Sequence, residues 1–321
     1  MMNLKHRAIG VAMTLLALFF SACSDKATDV KFSRLEHLLF ETPAERLSAE
    51  LTAKGAEFDT PLLNLHPDDP QYMQMLAEFV SDPMVRRIYE ATDSIYSDLH
   101  DVELQLGKAL AKAAQIYPEM RYERLYTLVT ADIDDYQNRV FCNENELAHS
   151  IDHYAVGCFP GAVPAYIERL SKREYIAPDC MAAMARAHIA MPDGEMTLLD
   201  YAIAEGKTLY FLEETMPGVD DTLRLRYTGE QLDWMRENTA NVWGWLLQQK
   251  LLYSKDLSQF HNLIDEAPKT NAFGEGSAPR TPFYIGLQIV RQYMKKSGAS
   301  MQELFAETDS QKILTTAAWR P

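Results

Sequence analysis

The sequence predicts a mainly α-helical α+β domain with one small antiparallel β-sheet. Three observations predict it. Apolar residues recur at helical spacing over most of the chain, capping boxes repeat in the C-terminal half, and residues 124–131 (RLYTLVTA) break the helical pattern with a run of β-formers. A small sheet beside many helices is the economical way to give each apolar face a partner. The chain has 321 residues, 47% of them hydrophobic and 24% charged, which is enough to bury a core and unlike a disordered segment.

The elements follow in order. Phe32, Leu35, Leu38 and Leu39 fall on one helical face, and Pro43 opens a helix toward Leu51. Residues 55–70, with Gly55, Pro61, Pro67 and Pro70, read as loop. Short amphipathic helices are expected over 71–80 and 83–91, divided by Asp82-Pro83, and a longer one over 94–116, ended by Pro118. The strand at 124–131 precedes a turn at 132–135, and weaker strands are expected at 138–142 and 146–153. Thr197 with Asp200, Thr228 with Gln231 and Ser300 with Glu303 have capping-box spacing, and Gly218 and Gly298 stand where helix ends favour positive φ. Residues 229–252 form one bent helix or two. A Gly/Pro-rich loop spans 267–282 and an apolar helix spans 283–294. No internal linker divides the chain, so residues 32–321 form one domain.

The N-terminus has a different character. Lys5, His6 and Arg7 precede an uncharged run at residues 8–22, too short to span a bilayer and patterned as a signal peptide. Phe20-Ser21-Ala22-Cys23 resembles a bacterial lipobox, so residues 1–22 would be removed and Cys23 acylated. Several acyl chains make a stable anchor, with residues 23–31 as a lipidated tether. The mature chain then has 29 basic and 46 acidic residues, net −17. That balance excludes nucleic acid as a partner and leaves the membrane contact to the lipid anchor. No cofactor is expected beyond the covalent lipid on Cys23.

Catalytic signatures are sparse. His-Glu-x-x-His, Gly-x-Ser-x-Gly, the Walker loop and Cys-x-x-Cys are all missing from the sequence. His149 and His153 lack a third ligand in sequence and read as solvated or core-edge residues, and Cys142, Cys158 and Cys180 read as free thiols. Glu205 interrupts an apolar helix and needs a cation, a metal or water, whereas Lys207 is expected to snorkel outward.

Several strings around these residues resemble the GldB family of gliding-motility lipoproteins of the Bacteroidota. They are Asp152-His153-Tyr154-Ala155-Val156-Gly157, Glu205-Gly206-Lys207-Thr208-Leu209-Tyr210, Tyr227-Thr228, Ala267-Pro268, Pro279-Arg280, and Gly286 with Gln288-Ile289-Val290-Arg291-Gln292-Tyr293-Met294. The resemblance implies a non-enzymatic envelope lipoprotein on the inner or outer membrane, its body in the periplasm or at the cell surface. Its partners would be envelope proteins of the gliding or type IX secretion machinery. The pattern is also distantly similar to gluzincin-type zinc peptidases, in which a Glu-Gly follows the metal-binding helix by about 25 residues. Counting back from Glu205 reaches Cys180-Met181-Ala182-Ala183-Met184, so the zincin-like scaffold would lack its metal motif. A remnant cleft would then contain Glu205, Arg280, Arg291 and Tyr293, with either arginine as the partner of Glu205 or of a ligand carboxylate. The alternatives are a lipid-anchored metallopeptidase-like hydrolase and a glycan- or peptide-binding protein using that cleft.

Overall fold

Four short strands in the order β1-β2-β4-β3 form the only sheet among the described residues, and helices enclose it. The computed structural model describes residues 28–132, 135, 138–159 and 161–321. Cys23 and the apolar run before it lie outside them. In chain order the elements begin with β1 (Phe32–Arg34), α1 (Leu35–Glu41), α2 (Leu47–Ala53), α3 (Gly55–Phe58), α4 (Pro70–Ser81), α5 (Pro83–Tyr96) and α6 (His100–Ile116). The strands β2 (Arg124–Leu128), β3 (Val140–Cys142) and β4 (Glu146–Ser150) follow. Next come α7 (Ala165–Leu170), α8 (Ile176–His188), α9 (Leu198–Thr215), α10 (Asp221–Leu225), α11 (Gly229–Gln248) and α12 (His261–Ile264). The chain closes with α13 (Thr281–Ser297), α14 (Met301–Ala306) and α15 (Ser310–Ala317).

The α+β class holds, but the sheet is mixed. β1 pairs with β2 and β2 with β4 in parallel, and only β3 and β4 run antiparallel. Parallel neighbours need long crossovers, and the helices from α1 to α6 supply one between β1 and β2. Strand β4 is buried along its whole length, so its sequence ELAHS shows no polar–apolar alternation. Phe32 belongs to β1, opposite Leu125, and the first helix starts only at Leu35.

Other boundaries moved for local reasons. The helix expected over 94–116 starts only at His100, since residues 94–96 belong to α5, and the Asp98 carboxylate accepts from the His100 amide where α6 begins. Strand β4 stops at Ser150, and Ile151–Tyr154 forms a 3-10 turn whose Asp152 carboxylate accepts from the Ala131 amide at 2.9 Å. All three capping boxes are closed. Gly298 ends α13 at φ 66°, whereas Gly218 lies outside the left-handed region.

The expected tether shortens as well. The Thr28 amide donates to the Gly107 carbonyl at 3.0 Å, Val30 is buried, and Lys31 pairs with Glu103 at 2.7 Å. Residues 28–31 are therefore part of the body, held on α6 where Gly107 leaves no room for a side chain.

Helix α13 packs along α9 at the centre of the C-terminal half. The approach is close because Gly206 meets the Gly286 backbone and Gly286 meets the Ala202 carbonyl. The loop before α13 is tied inward. Thr270 Oγ1 donates to the Ala278 carbonyl at 2.8 Å, Ser277 Oγ donates to the Thr270 carbonyl at 3.0 Å, and Gly274 and Gly276 take positive φ. None of the described helices is long and apolar enough to cross a membrane.

Candidate functional site

A cleft of about 280 Å³ opens where α8, α9, α10 and the loop before α13 meet. Its polar wall contains Arg139, Asp179, Arg186, Glu205, Arg224, Arg226, Asp265, Glu266 and Arg280, and its apolar wall contains Ile167, Leu209, Leu212, Leu223 and Ile264. The cleft thus combines one extra positive charge with an aliphatic face, in a chain whose net charge is −15.

The charges are organised around three carboxylates. Glu205, on α9, is gripped by Arg186, on α8, through contacts of 2.8, 3.0 and 3.1 Å. Burial alone would raise the Glu205 pKa, but the Arg186 guanidinium outweighs burial and holds it below the usual range. Asp179, about two helical turns before Arg186 on α8, accepts from Arg226 Nη1 at 2.6 Å and from the Tyr154 hydroxyl at 2.7 Å. Arg139 lies 3.9 Å from Asp179, and it donates to the Leu170 carbonyl and to Ser171 Oγ. Glu266 lies 2.9 Å from Arg226 Nε and 3.2 Å from Arg280 Nη1. Burial pushes its pKa up, but Arg280 and Arg226 pull it below the ordinary value.

Two of these arginines hold costly backbone conformations. Arg226 follows α10 at φ 62°, and Arg280 precedes α13 at φ 46°, both in the left-handed region that non-glycine residues seldom occupy. Both converge on Glu266, Arg226 through Nε and Arg280 through Nη1, and the Arg280 Nε is buried without a hydrogen-bond acceptor. Such strain persists only where the surroundings over-determine it, and it concentrates at functional sites.

Of the residues expected in the cleft, Glu205 and Arg280 are there. Arg280 is near enough to lower the Glu205 pKa, but its ion pair is with Glu266. Arg291 and Tyr293 are elsewhere. Arg291 pairs with Glu213 at 2.8 Å and approaches Asp221, while Tyr293 borders a separate groove with Glu307 and Lys312. The cause is the α9–α13 register. Gly286 abuts Gly206, so a residue beyond Gly286 meets one beyond Gly206, and Glu213 lies about 12 Å along α9 from Glu205. Arg139, Asp179, Arg186, Arg226 and Glu266 were not expected from the sequence.

Lys207 also departs from expectation. It is buried at 3% exposure, where Nζ donates to the Glu307 carbonyl. Burial pushes its pKa down to about 8. A depressed base costs the native state while it is charged. That cost is therefore full below pH 8 and is relieved as pH rises toward the unfolded value near 10.5. Lys207→Met is expected to raise stability at pH 7 by about 1–2 kcal/mol, the relieved charge outweighing one lost hydrogen bond. Urea denaturation between pH 7 and 10.5 checks this, because only the parent protein should gain stability across that range relative to the variant.

The remaining candidates sit in chemically quiet settings. His149 is fully buried against Phe32 and Tyr154, and burial lowers its pKa to about 3. His153 is lowered to about 4 and meets Thr130 Oγ1 at 3.1 Å. Cys142, Cys158 and Cys180 are free thiols, and burial holds the Cys180 thiol well above its ordinary pKa. Among the described residues, no three His, Cys, Asp or Glu side chains converge as a metal site would require.

No curated protein and no solved structure matches the chain. The chain belongs to the family described as gliding motility protein GldB, whose model matches residues 21–321.

Proposed function

We propose that this member of the gliding motility protein GldB family is a non-catalytic envelope lipoprotein. Acyl chains on Cys23 anchor it to the inner or outer membrane, with the body in the periplasm or at the cell surface. The body supports gliding or type IX secretion machinery by binding envelope proteins. One observation carries the non-catalytic reading. Glu205 and Glu266 lie in the cleft with their pKa values lowered by paired guanidiniums, so they stay ionised and are poor proton donors. The nearby Cys180 thiol is raised by burial and is a poor nucleophile. The packing of α8 on α9, with Cys180 on one and Glu205 on the other, suits a zincin-like scaffold in which Arg186 now occupies Glu205.

Attachment and function are tested together in cells. Cys23→Ala is expected to abolish palmitate labelling and release the protein from membranes, and retained labelling would remove the lipid assignment. Crosslinking in the native envelope, followed by purification, is expected to recover gliding or secretion components. Deletion of the chain should impair the same machinery. Recovery of glycan without a protein partner, or stoichiometric zinc that is lost on Glu205→Ala, would overturn the reading.

A further inference from the structure

The guanidinium cleft suggests what the protein binds. We propose that it captures the free C-terminal carboxylate of a polypeptide that ends in an apolar residue. The inference rests on the non-catalytic, partner-binding reading of the same site.

Charge is the first argument. Five arginines line the cleft against four carboxylates, so a monoanion would neutralise it and a phosphate dianion would overshoot. The second is hydrogen bonding. Buried donors are nearly always satisfied, yet the Nε of Arg280 has no acceptor. Arg280 is only 9% exposed. The third is strain. The left-handed backbones at residues 226 and 280 hold these two guanidiniums at one carboxylate, a preorganised arrangement for another. The fourth is shape. Arg186 already grips Glu205 through forked contacts, the geometry that matches a planar carboxylate. Leu209, Leu212 and Ile264 lie beside these charges and would receive an aliphatic side chain. A volume of about 280 Å³ is at the small end for ligand sites and suits a terminal residue rather than an extended polymer.

The test uses the full chain in detergent and calorimetric titration with N-acetyl-Ala-Leu-Leu as the free acid. Its C-terminal amide, acetate and inorganic phosphate are the comparison probes. The free acid is expected to bind at least about tenfold more tightly than the amide, as loss of charge-assisted hydrogen bonds implies. Arg280→Gln and Arg226→Gln should each weaken the acid by about tenfold or more. Arg291→Gln, whose partner is Glu213, should leave it unchanged. If the first two variants do not fold, Arg186→Gln replaces them, since Arg186 is half exposed at the mouth. Equal binding of acid and amide, tighter binding of acetate or phosphate, or equal loss in Arg291→Gln would each overturn the proposal. Crosslinking capture of envelope proteins by the Arg280→Gln chain separates the two readings. If capture persists without peptide binding, the cleft assignment falls and the lipoprotein reading stands.

Discussion

Gly286→Ala is expected to destabilise the protein by about 3 kcal/mol, enough to lower its urea midpoint sharply without changing the slope. A Cβ at residue 286 would lie 1.8 Å from the Ala202 carbonyl oxygen and 2.5 Å from its carbon. At residue 206 it would lie 2.4 Å from the Gly286 carbonyl carbon. These obstacles are backbone, so no rotamer change relieves them, and α13 must move away from α9. Alanine's higher helix propensity, worth up to about 1 kcal/mol over glycine, offsets only part of that cost. Gly244→Ala is the control. Gly244 lies inside α11 with nothing within 4 Å of its would-be Cβ, so the same substitution should be neutral or stabilising by up to about 1 kcal/mol. Equal effects at the two positions would show that the helix contact is looser than described. Because Glu205 adjoins Gly206, a displaced α13 should also loosen the Arg186–Glu205 grip.

That contact illustrates how much could be read from the chain. Glu205-Gly206-Lys207 and Gly286 were both singled out in sequence, but one-dimensional strings do not say that two glycines face each other. The capping boxes at Thr197, Thr228 and Ser300 were legible because each is local, closed within four residues. Strand sense was not legible, since it depends on which distant segment lies alongside. Burial of β4 on both faces also erased the period that would have marked it.

The cleft was legible by half for the same reason. Glu205 was conspicuous as an acid in an apolar helix, but its partner Arg186 is an ordinary-looking residue near the end of α8. Two members of the site border quoted strings and a third lies within one. Arg226 precedes Tyr227-Thr228, Glu266 precedes Ala267-Pro268, and Arg280 follows Pro279. Loop-borne charges beside such strings were the usable signal for a site. Arg291 misled because it is a lone cation on an apolar helix, the same pattern that marked Glu205. The helix register then sent it to Glu213.

The arrangement around Glu266 sets the second large effect. Glu266→Ala is expected to cost about 3–5 kcal/mol at pH 7, because removing one partner of a buried ion pair leaves uncompensated charge. Here Arg280 would lose its carboxylate and Arg226 would keep only Asp179, and both side chains are largely buried. Glu266→Gln should cost less, since the amide keeps the volume and an acceptor for one of them. The pH dependence has a definite sign. The folded pKa lies below the ordinary 4.5, so the stabilisation is complete above that value and is lost as pH falls through the folded pKa. The gap between parent and Glu266→Gln should therefore be widest at neutral pH and close progressively below pH 4.5. Urea denaturation at pH 7, 5 and 3.5 measures it. A gap that does not change across this range would mean that Glu266 contributes through packing and neutral hydrogen bonds rather than as the anion that holds the two arginines in place.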